Sequence, residues 1–318
     1  MFKYLSRRVL LMIPTLIIVT FLVFLLLFIS PGDPVLMLVP ADEASELTVE
    51  DLDRLRSEMG LDRPIVVQYL DWLGQVVQGN LGRSIHQGRP VTELLSARFP
   101  VTLELALLSV LVATLIAVPI GVYTAVRPGG FGDTVGNIFA LMGASAPAFW
   151  LALLLIVLFA VILDWLPAGG FTRISEDPVE HIRRMILPVL TLSAALMAVT
   201  MRLTRSSMLE VLNENYIRSA RSKGLADRRV IFVHALKNAL IPVITTIGLQ
   251  IGRILGGTVA IELIFSFPGM GKLMLDAIYA RDFPIVQGGV LLITLSFLVI
   301  NLIVDLLYAV IDPRIRFN

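Results

Sequence analysis

The stretch Val9–Ile29, VLLMIPTLIIVTFLVFLLLFI, carries no charge and follows a basic start of Lys3, Arg7 and Arg8. Whether it is a cleaved leader or a membrane crossing decides what the rest of the chain is. A secretory signal has an apolar region of roughly 7–15 residues and small residues at its cleavage site. This run is longer, and Ser30-Pro31 follows it where an A-x-A site would stand. It reads as an uncleaved helix that starts inside the cell.

A bilayer core takes about 20 mostly apolar residues per helix. Five further stretches qualify. Val101–Val126 holds one charge, Glu104; Thr134–Leu163 and Met185–Met201 hold none. Ala239–Phe265 contains Arg253 and Glu262, and Phe283–Ile311 contains Asp305. The fold class expected is therefore an all-α integral membrane protein with six transmembrane helices. Pro14, Pro119, Pro147, Pro188 and Pro242 lie in these spans. Membrane helices tolerate proline where neighbours satisfy the freed carbonyls, so a packed, kinked bundle is expected.

Across 318 residues, 56% are hydrophobic and only 16% charged, against about 25% charged in soluble domains. The absence of cysteine excludes disulfides and thiolate chemistry. With the amino terminus inside, segments 1–8, 127–133, 202–238 and 312–318 are internal and hold 14 Lys/Arg in 59 residues. Segments 31–100, 164–185 and 266–284 are external and hold 11 in 111. Acidic residues run the other way, 5 inside and 17 outside. This obeys the positive-inside rule and puts both termini in the cytoplasm, in a multi-pass cytoplasmic (inner) membrane protein.

The organisation expected is residues 1–30 as amino terminus and first helix, 31–100 as a small extracytoplasmic helical cap, and 101–318 as a five-helix core. In the cap, TVEDLDRLRSEMG has Thr48 and Asp51 at capping-box spacing, with Leu52, Leu55 and Met59 on one face before Gly60. RPIVVQYLDWLGQVV aligns Ile65, Tyr69, Trp72, Leu73 and Val76 on one stripe. GNLGRSIHQGRP reads as a loop of turn residues.

The internal segment 202–238 interrupts this apolar pattern with YIRSARSKGLADRRVIFVHALKNALIP, Tyr216–Pro242. It reads as helix, glycine turn, helix between the fourth and fifth spans. Asn213 or Asn215 caps the first helix, which runs to Lys223; Gly224 suits its left-handed end. Asp227 caps the second helix, to about Asn238, and Pro242 enters the next span. Ile217, Ala220 and Gly224 make a small-residue face ringed by Arg218, Arg221 and Lys223. The residues alone leave three readings open: a solvated loop, a helix on anionic lipid, or a docking site for a partner. Nucleic acid fits poorly, because the charge is local and no groove-reading motif occurs.

The stretch resembles the cytoplasmic signature loop of ABC-importer permeases, Glu-Ala-Ala, three residues, Gly, nine residues, Ile-x-Leu-Pro. Aligned on Gly224, only Ala220, Gly224 and Leu236 match that general pattern. The oligopeptide/dipeptide branch, with Y-[IV]-R-x-A-R-[SA]-K-G and H-A-L-[KR]-N-A-L-[IL]-P, is matched almost letter for letter. SPGDPV, QYLDWLGQVVQGNLGRSI, IFSFPGMGKLMLDAI, RDFPIVQGGV and the closing DPRIR extend the likeness over nearly the whole chain. The resemblance implies a permease of the binding-protein-dependent transport family that imports di- or oligopeptides, or another solute such as a nickel complex or glutathione. It implies a homologous second permease subunit, two ATP-binding subunits and an extracytoplasmic solute-binding protein as partners. ATP and Mg would be bound by the ATPase subunits, with no catalytic residue or cofactor in this chain. Tyr216, Ile217, Arg218, Ser219, Ala220, Arg221, Lys223, Gly224 and Leu236 would form the contact with the ATPase.

Other constellations fail on inspection. FPGMGK lacks the first Gly and the final Ser/Thr of a phosphate loop, having Ser266 and Leu273 there. Ser145 has no G-x-S-x-G frame, and His86, His181 and His234 all fall in expected loops. Met142, Met197 and Met201 read as packing filler rather than a soft-metal path. Charges at membrane depth are functional candidates because they cost roughly 2.5–3.5 kcal/mol even on insertion scales. Arg253 and Glu262 are the pathway candidates, Arg253 being the deeper. Glu104 reads as interfacial, and Asp305 as a partner for a basic loop residue. An ion-coupled carrier working alone is the alternative in another class; the paired broken helices, repeated halves or mid-membrane acid it needs are not evident.

Overall fold

The computed structural model describes residues 2–29, 48–58 and 62–311. SPGDPV, Met59, Gly60 and DPRIR lie outside them. Among the described residues every regular element is helical, and Arg83 and Pro90 form an isolated antiparallel bridge. Helix α1 is Phe2–Ile29, α2 Val49–Glu58, α3 Ile65–Val77 and α4 Val91–Val126. Helix α5 is Phe131–Ser145, α6 Ala148–Ile162 with a π-helical end from Ile156, and α7 Pro178–Leu212. Helix α8 is Asn215–Ser222, and α9 runs through Asp227–Gly257 with a π-helical turn at Val230–Ala235. Helix α10 is Val259–Ile264, α11 Met270–Ala280 and α12 Phe283–Ile311.

Four helices, α4, α7, α9 and α12, are long and apolar enough to cross a membrane, or five crossings if the bent pair α5–α6 counts as one. Several expected boundaries are corrected. Helix α4 starts at Val91, not Val101, because Val91, Leu94 and Leu95 extend its buried face. Helix α7 overruns Met185–Met201 at both ends, and Asp177 caps it by accepting from the N–H groups of Val179 and Glu180, both at 3.0 Å. Thr134–Leu163 is not one rod: α5 and α6 meet at 105°. Proline disfavours helical backbone at the residue before it, and Ala146, before Pro147, is extended at φ −75°, ψ 128°. Ala239–Phe265 divides at Thr258 into α9 and α10. Helix α11 lies within segment 266–284, between two expected spans.

The chain forms two compact units. One comprises Leu103–Phe267 with the chain from Val299; the other comprises Phe2–Thr102 with Pro268–Leu298. In the second unit, Val91, Leu94 and Leu95 of α4 pack with Met270, Leu273 and Ala277 of α11 and Ile285 and Val286 of α12. Ser84 Oγ donates to the buried Asp282 carboxylate, fixing the 80–90 loop to the turn before α12. Tyr69 of α3 meets Thr20 of α1 through hydroxyls 2.9 Å apart, between Phe21 and Phe24. Tyr69, Trp72, Leu73 and Val76 face inward, as the stripe requires, while Ile65 is exposed. The Thr48–Asp51 capping box is present: each backbone N–H donates to the other's side chain, at 3.0 and 3.3 Å.

In the first unit, small residues let helices approach closely, as membrane packing favours. A Cβ on Gly121 would lie 2.7 Å from Thr204 of α7, and one on Gly143 would lie 2.8 Å from the Ala194 carbonyl. These contacts seat α4 and α5 on α7.

Candidate functional site

The basic loop between α7 and α9 is built around one short helix. Helix α7 ends at Asn213, whose amide donates to the Leu209 carbonyl at 2.9 Å. Helix α8 then starts at Asn215 with Glu214 at the cap position and no side-chain cap bond. Neither expected asparagine caps it. Its stability comes instead from burial of one face.

That face is Ile217, fully buried, with Ala220 beside it. Around them lie Met208, Leu209, Val211 and Leu212 of α7, Val118, Val122 and Ala125 of α4, and Val230, Ile231, Ala235, Leu236 and Ala239 of α9. Ile217, Ala220 and Leu236 therefore pack into the loop's own core. Burying an Ile-sized side chain is worth about 1.5–3 kcal/mol, enough to fix the rotation of an eight-residue helix about its axis.

The other face is outward. Tyr216, Arg218, Ser219, Arg221, Lys223 and Gly224 are exposed. Arg218 and Lys223 make no ion pair with a described residue. Arg221 lies 3.5 Å from Asp227, an exposed pair of the kind that contributes about 0–1 kcal/mol. Asp227 thus meets α8 and provides no side-chain cap to α9. The Tyr216 hydroxyl accepts from the Asn238 amide at 2.8 Å, joining α8 to α9.

Gly224 closes α8 at φ +76°. The Leu225 N–H donates to the Ala220 carbonyl at 3.4 Å and the Gly224 N–H to Arg221 at 2.9 Å, the paired bonds of a Schellman end. A Cβ on Gly224 would meet nothing within 4 Å. The sequence expectation of a left-handed glycine holds, and the space beside it is open. Helix α9 runs without interruption from the turn into the apolar span, so Asn238 is no boundary and Pro242 lies inside the helix.

Deeper polar residues fall into separate places. Arg253 is exposed on α9 and has no ion-pair partner among the described residues. Glu262 is fully buried on α10 and accepts from Thr258 Oγ1 at 2.8 Å. Glu104 and His181 pair: His181 Nε2 lies 2.9 Å from Glu104 Oε1, and Nδ1 lies 2.8 Å from the Thr172 carbonyl. A carbonyl only accepts, so Nδ1 carries a proton. His181 is thus a buried helix residue, and Glu104 its hydrogen-bond partner. Sequence reasoning missed this pair and two others. Thr200 and Gln250 meet inside the bundle at 3.4 Å. Asp133 receives Arg205 through two bonds of 2.7 and 2.8 Å, and also the Gly129 N–H and the Asn137 amide, both at 2.9 Å. Asp133 at the start of an apolar run and Arg205 in a basic one were the only signals. At FPGMGK, the first N–H of α11, on Met270, is taken by Thr102 Oγ1 at 2.8 Å.

Comparison with known proteins bears on the whole length. Residues 117–317 match the family described as binding-protein-dependent transport system inner membrane component, and residues 1–106 match its amino-terminal companion. A Brucella abortus protein provisionally named a peptide transport system permease is 42% identical over 98% of each chain. The oligopeptide transport system permease protein AppB of Bacillus subtilis is 42% identical over the full length of both. The glutathione transport system permease protein GsiC of Salmonella typhi is 43% identical over the same extent. Among solved structures, an inward-facing form of the MetNI methionine ABC transporter has a similar fold, with TM-score 0.53 and 17% identity, covering 69% of this chain and 96% of that one.

Proposed function

This chain belongs to the inner membrane components of binding-protein-dependent transport systems, and from that premise we propose that it is the permease subunit of an ATP-driven importer of di- and oligopeptides. The observation that carries this reading is full-length identity at 42–43% to permeases named for peptide, oligopeptide and glutathione transport. Glutathione is itself a tripeptide, so short peptides are the substrate class common to all three. The similar identities favour none of the three over the others, and glutathione is the second reading.

Six crossings follow if α1 spans the membrane and the bent pair α5–α6 counts once. Helix α1 is 28 residues long, about 42 Å at 1.5 Å per residue, which exceeds a hydrocarbon core of about 30 Å. Lys/Arg density puts both termini and the loop 202–238 in the cytoplasm, and residues 31–100 outside as a cap within reach of a solute-binding protein. A second permease subunit completes the pathway, and two ATP-binding subunits hold the nucleotide and Mg. Helix α8 offers its outward face, Arg218, Ser219, Arg221 and Lys223 with open Gly224, to an acidic cleft on one of them. Ile217, Ala220 and Leu236 anchor that face from beneath. Arg253 is the pathway residue favoured for meeting a peptide carboxylate, because it is exposed and has no ion-pair partner among the described residues; Glu262 is enclosed in this conformation.

The test is uptake of radiolabelled trialanine and glutathione into proteoliposomes holding this chain with the permease and ATPase subunits encoded beside it, supplied with the matching binding protein. Uptake that needs ATP and binding protein is expected. Transport by this chain alone on a proton or sodium gradient, without nucleotide, would refute the reading.

A further inference from the structure

The part-buried Asp133–Arg205 pair joins two helices, α5 and α7, of which the loop core includes only α7. That core joins α8 to the ends of α4 and α7 and to the start of α9, but includes no residue of α5. Helix α5 is the first limb of the bent pair, and its first turn holds Asp133. Arg205 stands on α7, within two turns of the Leu212 end that leads into α8.

The geometry of the join is rigid. Both guanidinium contacts are short, at 2.7 and 2.8 Å, and the planar fork fixes direction as well as distance. The Gly129 N–H ties the same carboxylate to the α4–α5 turn, and Asn137 ties it to the next turn of α5, both at 2.9 Å. Asp133 is 5% exposed, so loss of Arg205 would leave an enclosed carboxylate without its charged partner.

Resting on the ATP-driven reading above, we propose that Asp133 and Arg205 are positioning residues that carry displacement of α8 to α5 and so set the bend between α5 and α6 in step with the ATPases. The path is contiguous: α8 through Ile217 to the end of α7, from Arg205 to Asp133, then α5. Gly143 seats the far end of α5 against the Ala194 carbonyl of α7. The inner end is held by a directional charged clamp, the outer by close packing.

The absence of cysteine makes the test direct. Nitroxide pairs at the exposed positions Val179 and Ser222, and at Val179 and Ile138, report the motion of α8 and α5 against the start of α7. Distances are measured by double electron–electron resonance in the whole complex in nanodiscs, with and without trapped ATP. In the wild type both distances are expected to change. In Asp133→Asn the change at Ser222 persists, while the change at Ile138 falls to under a third. The exchange Asp133→Arg with Arg205→Asp restores at least half of it; Arg205→Lys, which has no fork, falls between. A full response at Ile138 in Asp133→Asn would overturn the inference, as would failure of the exchange in a complex that still assembles. Absence of any ATP response at Ser222 in the wild type would instead overturn the ATP-driven reading, and this inference with it.

Discussion

Gly224 separates two ways in which the turn after α8 can matter. Its φ of +76° strains any L side chain, and a Cβ there would meet no atom within 4 Å. Gly224→Ala therefore adds backbone strain and nothing else. A non-glycine residue in left-handed geometry costs roughly 1–2 kcal/mol, and the loss of glycine's freedom in the unfolded chain returns about 0.4–1. The net is about 1 kcal/mol, or roughly a fivefold shift toward a frayed α8 end. Ile217, fully buried, keeps the rest of the helix seated. Gly224→Trp adds the same strain and projects an indole into the open space. If a partner surface closes on that space, the Ala variant keeps uptake within about fivefold, and the Trp variant loses it by more than tenfold while still inserting. The assay compares membrane content, ATPase co-purification, ATP hydrolysis and peptide uptake for wild type, Ala, Asn and Trp. Asn tolerates left-handed backbone and should lie nearest the wild type. Equal, near-normal uptake and ATPase association in Ala and Trp would show that nothing approaches Gly224. Ala as damaging as Trp would show that the backbone, not proximity, is what matters.

Three further outcomes are expected. His181→Ala strips Glu104 and the Thr172 carbonyl of their shared partner; both are half-buried, so the cost lies at or below the low end of the roughly 1–3 kcal/mol for an unsatisfied buried group. The thermal midpoint of the detergent-solubilised protein should fall, and fall less in His181→Gln, which retains one donor; an unchanged midpoint in the Ala variant contradicts the pairing. The hydrogen bonds from Thr48, side chain first and then backbone, hold the Asp51 carboxyl below its ordinary value. A depressed carboxylate stabilises the fold above the unfolded pKa, and that contribution is lost as pH falls through the folded one. Hydrogen exchange at the first-turn amides of α2 should therefore accelerate, beyond the intrinsic pH trend, as pH drops through the acid carboxylate range. Thr48→Ala, which loses the hydroxyl but keeps the backbone donor, should reduce the pH dependence; equal protection of the wild type at pH 6 and pH 3 would refute it. Arg253→Gln should weaken uptake of peptides with a free carboxylate several-fold more than that of their amidated forms. Unchanged uptake and preference would remove Arg253 from the pathway.

Local rules reach some of this structure and not the rest, and the division follows sequence distance. The Thr48–Asp51 box and the left-handed Gly224 are settled within a few residues of backbone, so spacing suffices. Pro147 marks a break through its effect on Ala146, but the 105° between α5 and α6 depends on what α7 offers each limb. Asp133 with Arg205 and Glu104 with His181 lie 72 and 77 residues apart; no periodicity links residues on different helices at that distance. The face of α8 is the instructive case. Its small residues read from sequence as the side a partner approaches. Burial places Ile217 and Ala220 beneath the helix, and Gly224 with the arginines and lysine outside. An eight-residue helix with one Ile cannot present that residue to water and also hold its orientation. The apolar side must be the anchor, and the charged side, with the open glycine, is what remains for a partner to grip. Under the proposed coupling role, that anchor would let a force on Arg218 or Lys223 reach α7 and α9 through Ile217 rather than spend itself in rotation of a loose loop.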